Sequence, residues 1–270
     1  MATRTLPTYF ISHGGGPWPY MKDQLGGAYD RLEASLQAMP RELGRTPKAV
    51  LMVSAHWEEP QFTVMGAAQP SMLYDYGGFP AHTYHVRYPA PGSPDTAERV
   101  RALIEAAGMP ARVDTQRGFD HGTFSPLAVI YPEANVPVLQ LSLKTGLDPE
   151  DHLALGRALA PLRDEGVLIV GSGLSYHNLR EFGARAKGAS QAFDHWLQQT
   201  VVAASAAERS VQLTAWETAP SARQAHPREE HLLPLMVAVG AAEAEAGTCV
   251  YHEDDFMGGV AASSFRFGAL

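Results

Sequence analysis

Apolar and polar positions alternate along this chain in two distinct rhythms. Short, largely apolar runs, at residues 8–11, 49–53, 136–143 and 167–170, have the length and β-branched content of buried strands. Between them lie stretches with helical spacing. In residues 20–39 the apolar positions are Leu25, Tyr29, Leu32, Leu36 and Met39, and Pro40 is expected to close that helix. Residues 94–107 carry Thr96, Val100, Leu103 and Ile104 inward and stop at Gly108. Residues 124–131 read as helix, and a further helix runs from Pro149 to about residue 164, with Asp148 as its cap. Helices are also expected at 189–206, 212–217 and 229–242. Residues 61–65 and 111–113 are short strands, the first expected beside 49–53, and the chain from Thr248 onward is extended. Residues 66–94 form a long irregular stretch rich in Gly, Pro and Tyr, and a loop of that length is usually functional.

Strands joined by helices predict an α/β fold. Hairpin-like pieces make the central sheet mixed, and flanking helices complete a sandwich. No repeat, linker or shift of composition interrupts the 270 residues, so one catalytic domain over 1–270 is expected. A net charge of −8 without a Lys/Arg cluster argues against a nucleic-acid partner. No stretch is apolar enough for a membrane span, and the opening residues lack a signal-peptide core, so a cytoplasmic location is expected. The single cysteine, Cys249, leaves any metal to nitrogen and oxygen ligands.

The candidate chemistry is concentrated in histidines. His13 follows the first strand and precedes Gly14-Gly15-Gly16-Pro17. His56 follows the second in Ser54-Ala55-His56-Trp57-Glu58. His177 follows the fourth in Gly171-Ser172-Gly173-Leu174-Ser175-Tyr176-His177. Carboxyl ends of strands are where α/β folds gather ligands, and neutral imidazole is the commonest metal ligand. His226, at Ala225-His226-Pro227, is expected on the boundary of a helix that also contains His231. A spacing of five sets those two about 140° apart, so they need not share a site. This reading makes His13, His56 and His226 the ligands and leaves His231 as ligand or substrate contact. His177 is a fourth ligand or a general acid/base, and His121, in Asp120-His121-Gly122-Thr123, is a further site residue with Thr123 or Ser125 as helix cap. Tyr76 and Phe79, in the long loop, are expected to contact an aromatic substrate.

Other chemistries lack their signatures. The glycine run after His13 is not followed by the lysine and hydroxyl residue of a P-loop. Gly171-Ser172-Gly173 lacks the spacing of a nucleophile elbow, and there is no H-E-x-x-H pair or dinucleotide fingerprint. A mononuclear centre of separated histidines remains, suited to oxygen activation or metal-assisted hydrolysis.

These segments, with Tyr74-Asp75-Tyr76-Gly77-Gly78-Phe79-Pro80 and His231-Leu232-Leu233-Pro234-Leu235, resemble the class III extradiol ring-cleavage dioxygenases of the LigB-type superfamily, in its DOPA dioxygenase branch. The resemblance spans most of the chain in order. It implies a mixed-sheet α/β fold, Fe(2+) for activity with Zn(2+) possible in the same site, and cleavage of a catechol by O2 to a ring-opened semialdehyde. By position it implies His13, His56 and His226 as ligands, His177 and His121 in catalysis, and a monomer or small homo-oligomer acting on a small aromatic diol. The competing readings are a zinc-dependent hydrolase and a non-catalytic metal-binding scaffold on the same fold.

Overall fold

The structure, a computed structural model, describes residues 5–270. One mixed sheet of eight strands runs through it in the order β4-β3-β5-β2-β6-β1-β8-β7. The strands are β1 (Thr8–Ser12), β2 (Ala49–Glu59), β3 (Phe62–Met65), β4 (Ala111–Asp114), β5 (Val138–Lys144), β6 (Val167–Gly173), β7 (Gly247–Phe256) and β8 (Val260–Phe267). At its centre β5, β2, β6 and β1 are parallel, while β8 and β7 continue it antiparallel. The four apolar runs seen in the sequence are these four central strands. They are buried on both faces because helices cover both, which is why they read as continuous runs instead of alternating.

The helices are α1 (Asp30–Leu43), α2 (Pro94–Ala106), α3 (His121–Ile130), α4 (Pro149–Leu159), α5 (Lys187–Gln198), α6 (Ala206–Thr214), α7 (Ala222–Ala225) and α8 (Leu233–Ala241). Strand β6 shows how the two layers attach. A Cβ on Gly171 would lie 2.2 Å from the Pro234 carbonyl oxygen, and one on Gly173 would lie 2.1 Å from that of His231. The intervening Ser172 points to the other face and donates to the Gly122 carbonyl of α3. The Gly-Ser-Gly run is therefore a seat for the segment entering α8, not a nucleophile. Gly173→Ala should lower thermal stability by about 1–3 kcal/mol, the usual scale of overpacking, and displace His231 with it. A melting curve unchanged from wild type would contradict this seat.

Several sequence expectations are corrected. The first helix begins at Asp30, because Gly26 and Gly27 take φ of +55° and +81° and only short 3-10 turns precede them. Pro40 lies inside α1, which runs on to a left-handed Gly44. Strand β3 pairs with β4 and β5 and not with β2. Helix α3 starts at His121, three residues early, because Asp120 and not Thr123 or Ser125 is its cap. Helix α6 starts six residues before the expected 212–217 and ends at Thr214, and α8 starts at Leu233, so His231 lies in the turn before the helix and not within it.

Candidate metal centre

The ends of β1 and β6, a register break in β2, the start of α3 and two loops carry the site. His13 follows β1, whose Ser12 pairs with Gly173 of β6, so β1 and β6 end at the same level. Gly14, at φ +78°, turns the chain back at once, and a Cβ there would lie 2.4 Å from Trp18 Nε1. That indole donates to the His13 carbonyl at 2.9 Å and fixes the turn. His56 lies in a register break of β2. Val53 pairs with Leu141 of β5, yet the next pair is Glu58 with Leu143. Residues 54–57 therefore bulge out of the ladder with β5, a device that re-aims a side chain, while Ser54 still pairs with Ser172 of β6.

The start of α3 is locked to this bulge by Asp120. Its buried carboxylate accepts from Ser54 Oγ at 2.9 Å, the Thr123 amide at 3.1 Å, Gln140 Nε2 at 2.6 Å and Arg117 Nη2 at 3.1 Å. Burial pushes this carboxyl up, opposed by Arg117. Arg117 also donates to the His56 carbonyl at 3.2 Å and lies over the Trp57 ring. His121, the first residue of α3, is thus placed beside His56, with ring centroids 4.0 Å apart.

The Nε2 atom of His56 lies between those of His13 and His231. The Nε2 atoms of His13 and His56 are 3.2 Å apart, and those of His231 and His56 are 3.3 Å apart. Nδ1–H of His13 donates to the Gly14 carbonyl at 2.7 Å, and Nδ1–H of His231 to Glu230 Oε1 at 2.9 Å. Both acceptors lack a proton, so in the neutral rings both Nε2 atoms are bare, and both face His56. One proton on His56 can satisfy only one of them. A cation relieves all three lone pairs. Imidazole nitrogens about 2.0–2.1 Å from a metal are about 2.9–3.4 Å apart when the angles between them are tetrahedral or right, so the two spacings to His56 fit. Burial also drives His13, His56 and His231 well below the ordinary imidazole range, keeping them in the neutral form that binds metal.

His121 lies against the same cluster, and His13, His56 and His121 together could hold an ion. His177 stacks on His231, with centroids 3.3 Å apart and planes at 17°, and it makes a second possible group with Glu230 and His231. His226 is the exception, and its expected place is corrected. It belongs to neither group. Its Nε2–H donates to the Ser175 carbonyl at 3.0 Å, its ring lies against Phe193 and Trp216, and its Nδ1 is buried without a hydrogen-bond partner. It works from behind the site, where the amide of His177 also bonds to the Ala225 carbonyl at 2.9 Å.

Burial lowers the His226 pKa to about 4. The unfolded chain takes up a proton below about pH 6.5 that the folded protein refuses, so stability is complete above that pH and falls as pH drops toward about 4. Urea unfolding should show the advantage of wild type over His226→Gln shrinking by about 2 kcal/mol between pH 7 and pH 5. A gap that is constant with pH would contradict it.

The long loop reaches this cluster from the side. Leu73 and Phe119 share a backbone hydrogen bond at 2.8 Å, which brings Asp75 to the start of α3. Asp75 Oδ1 accepts from both the amide and Nδ1–H of His121, each at 2.9 Å. The Tyr76 ring is edge-on to His121 at 5.9 Å and to Phe79 at 5.4 Å, while the Phe79 ring covers Gly16. Asp75 and Glu230 were missed from sequence. The only signal was adjacency: Asp75 between two tyrosines, Glu230 beside His231.

This mixed-sheet α/β protein gathers several neutral imidazoles into a cluster that could hold a metal ion. Residues 7–267 match the family described as the catalytic LigB subunit of aromatic ring-opening dioxygenase. The chain belongs to that family, and it is an extradiol ring-cleaving dioxygenase. It is 39% identical to a 4,5-DOPA dioxygenase extradiol of Beta vulgaris, over 96% of either chain. It is 36% identical to a dioxygenase of Hapsidospora irregularis, over 93% of this chain and 82% of that one. The crystal structure of an uncharacterized protein from Escherichia coli K12 superposes with a TM-score of 0.78 at 30% identity, covering 98% of this chain and all of the other. Among the described residues no helix is long and apolar enough to cross a membrane.

Proposed function

We propose that this protein cleaves a catechol next to its diol, inserting both atoms of O2 to give a ring-opened semialdehyde, with iron(II) held by His13, His56 and His231. The observation that carries the reading is the convergence of three Nε2 atoms with their Nδ1 sides turned to acceptors. Bound there, iron(II) would supply the redox chemistry and the open coordination positions that a catechol and dioxygen need. Zinc would fit the same nitrogens without that redox chemistry. The names of the curated relatives point to a DOPA-like substrate.

The side chains around these ligands have their own work. His177 and His121 accept and return the phenolic protons, since each has Nδ1 beside a carboxylate oxygen and so offers Nε2 to the substrate. Tyr76 and Phe79 supply an aromatic wall that orients the ring. Tyr76→Ala and Phe79→Ala should therefore change the order of kcat/KM among substituted catechols while iron affinity holds. Equal losses for every catechol would take substrate reading away from this loop.

Anaerobic loading with iron(II), then catechol, then air, tests the function directly. The expected result is oxygen uptake with a yellow ring-opened product, and neither in the zinc-loaded protein. Iron bound in full without oxygen uptake on any catechol would overturn it.

A further inference from the structure

The five site histidines are not held independently. Asp75 Oδ1 receives the His121 amide and Nδ1–H, and Asp75 Oδ2 lies 3.6 Å from Nδ1 of His56. Glu230 Oε1 lies 2.9 Å from Nδ1 of His231 and 3.3 Å from Nδ1 of His177. Each carboxylate thus spans one imidazole of the proposed ligand set and one of the proposed acid–base pair. His13 stands outside the scheme, with the Gly14 carbonyl as its acceptor.

We propose that Asp75 and Glu230 are positioning residues, each fixing a ligand histidine and an acid–base histidine together in the tautomer that leaves Nε2 bare. The inference rests on the roles proposed above for those histidines. A carboxylate can only accept, so an Nδ1 hydrogen-bonded to it carries the proton, and at 3.6 Å the Asp75 charge favours the same tautomer of His56; a neutral ring then has its lone pair on Nε2. The same contact sets the plane of the ring. One oxygen of Asp75 is already occupied by His121, so the second is the one left for His56. Glu230 differs, because a single oxygen serves both of its histidines, while Oε2 lies 3.5 Å from Arg228. The two carboxylates therefore divide the site into His56 with His121 and His231 with His177.

That difference makes the two sites respond unequally to amides. An asparagine at 75 has one carbonyl oxygen. With the oxygen on His121, its NH2 faces Nδ1 of His56, and that ring must move its proton to Nε2, where the metal lone pair is needed. A glutamine at 230 keeps the one oxygen that matters. Outer carboxylates of this kind typically contribute about 10–100-fold to metal affinity.

The test combines zinc titration against a competing chelator with 15N-histidine NMR of the metal-free protein, each variant first shown to be folded by circular dichroism. Asp75→Asn should weaken zinc binding about 10–100-fold, shift the His56 proton to Nε2 and leave the His231 and His177 signals as they were. Glu230→Ala should weaken zinc binding while disturbing only His231 and His177, and Glu230→Gln should restore most of that loss. Unchanged His56 signals and zinc affinity in Asp75→Asn would overturn the proposal, and so would disturbance of all the histidines by either variant. Failure of wild type to bind zinc would instead count against the metal reading of the site, because the tautomers are measured without metal.

Discussion

His231→Ala should emerge without bound metal, and His226→Ala should emerge with it. His231 presents Nε2 3.3 Å from that of His56, and its Nδ1 is held outward by Glu230. Removing it leaves His13 and His56 to hold an ion between them, and iron or zinc should be lost on dialysis together with turnover. His226 has neither property. Its bond goes to the Ser175 carbonyl, and its ring fills space between Phe193 and Trp216. Truncating it should cost stability, on the order of 2–4 kcal/mol for an emptied buried site and a lost hydrogen bond, with metal content unchanged. Elemental analysis and urea unfolding on both variants separate the roles. A folded His226→Ala protein that binds no metal would return the third ligand place to His226.

His177→Ala should keep its metal and lose about 10²–10⁴-fold in kcat, the usual contribution of a general acid or base. The ring is stacked on His231 and sits at hydrogen-bond range of Glu230, and its backbone is tied to Ala225. It is partly open to solvent, as a group that exchanges protons with substrate must be. Single-turnover measurement of ring opening, alongside metal content, is the deciding pair. If metal and activity fall in proportion, His177 is a fourth ligand and proton transfer belongs to His121 alone.

Much of the architecture was legible because the central strands are buried on both faces. Their apolar runs at 49–53 and 167–170 stand out from the helical spacing around them, and His13 could be placed at a strand end from that alone. Strand β2 instead runs on past His56 to Glu59 through a register break. Errors gathered where local pattern competes with a special backbone. Leu25 and Tyr29 fit a helical period, yet the positive φ of Gly26 and Gly27 forbids the helix that would use it. Pro40 looked like a stop, but α1 absorbs it and ends at Gly44. For the proposed third ligand, the sequence left both His226 and His231 open, and which of them reaches the histidine cluster depended on where α8 begins. Because residues 226–232 form a turn, the angle between the two histidines on an ideal helix decided nothing.

The sequence by itself determined the histidine character of the site, its family and the strands that frame it, since glycine turns, apolar runs and histidines next to strands are local properties. Only the tertiary structure decided which imidazoles meet. Gly171 and Gly173 let the segment before α8 lie directly on β6, and that contact puts His231 in the cluster and His226 behind it. Asp75 joins His121 across 46 positions and Glu230 joins His177 across a different loop, pairings that no local pattern encodes. Hydrogen bonds are short and directional, so a partner is set by where the chain returns in space, and that return is a property of the whole packed sheet.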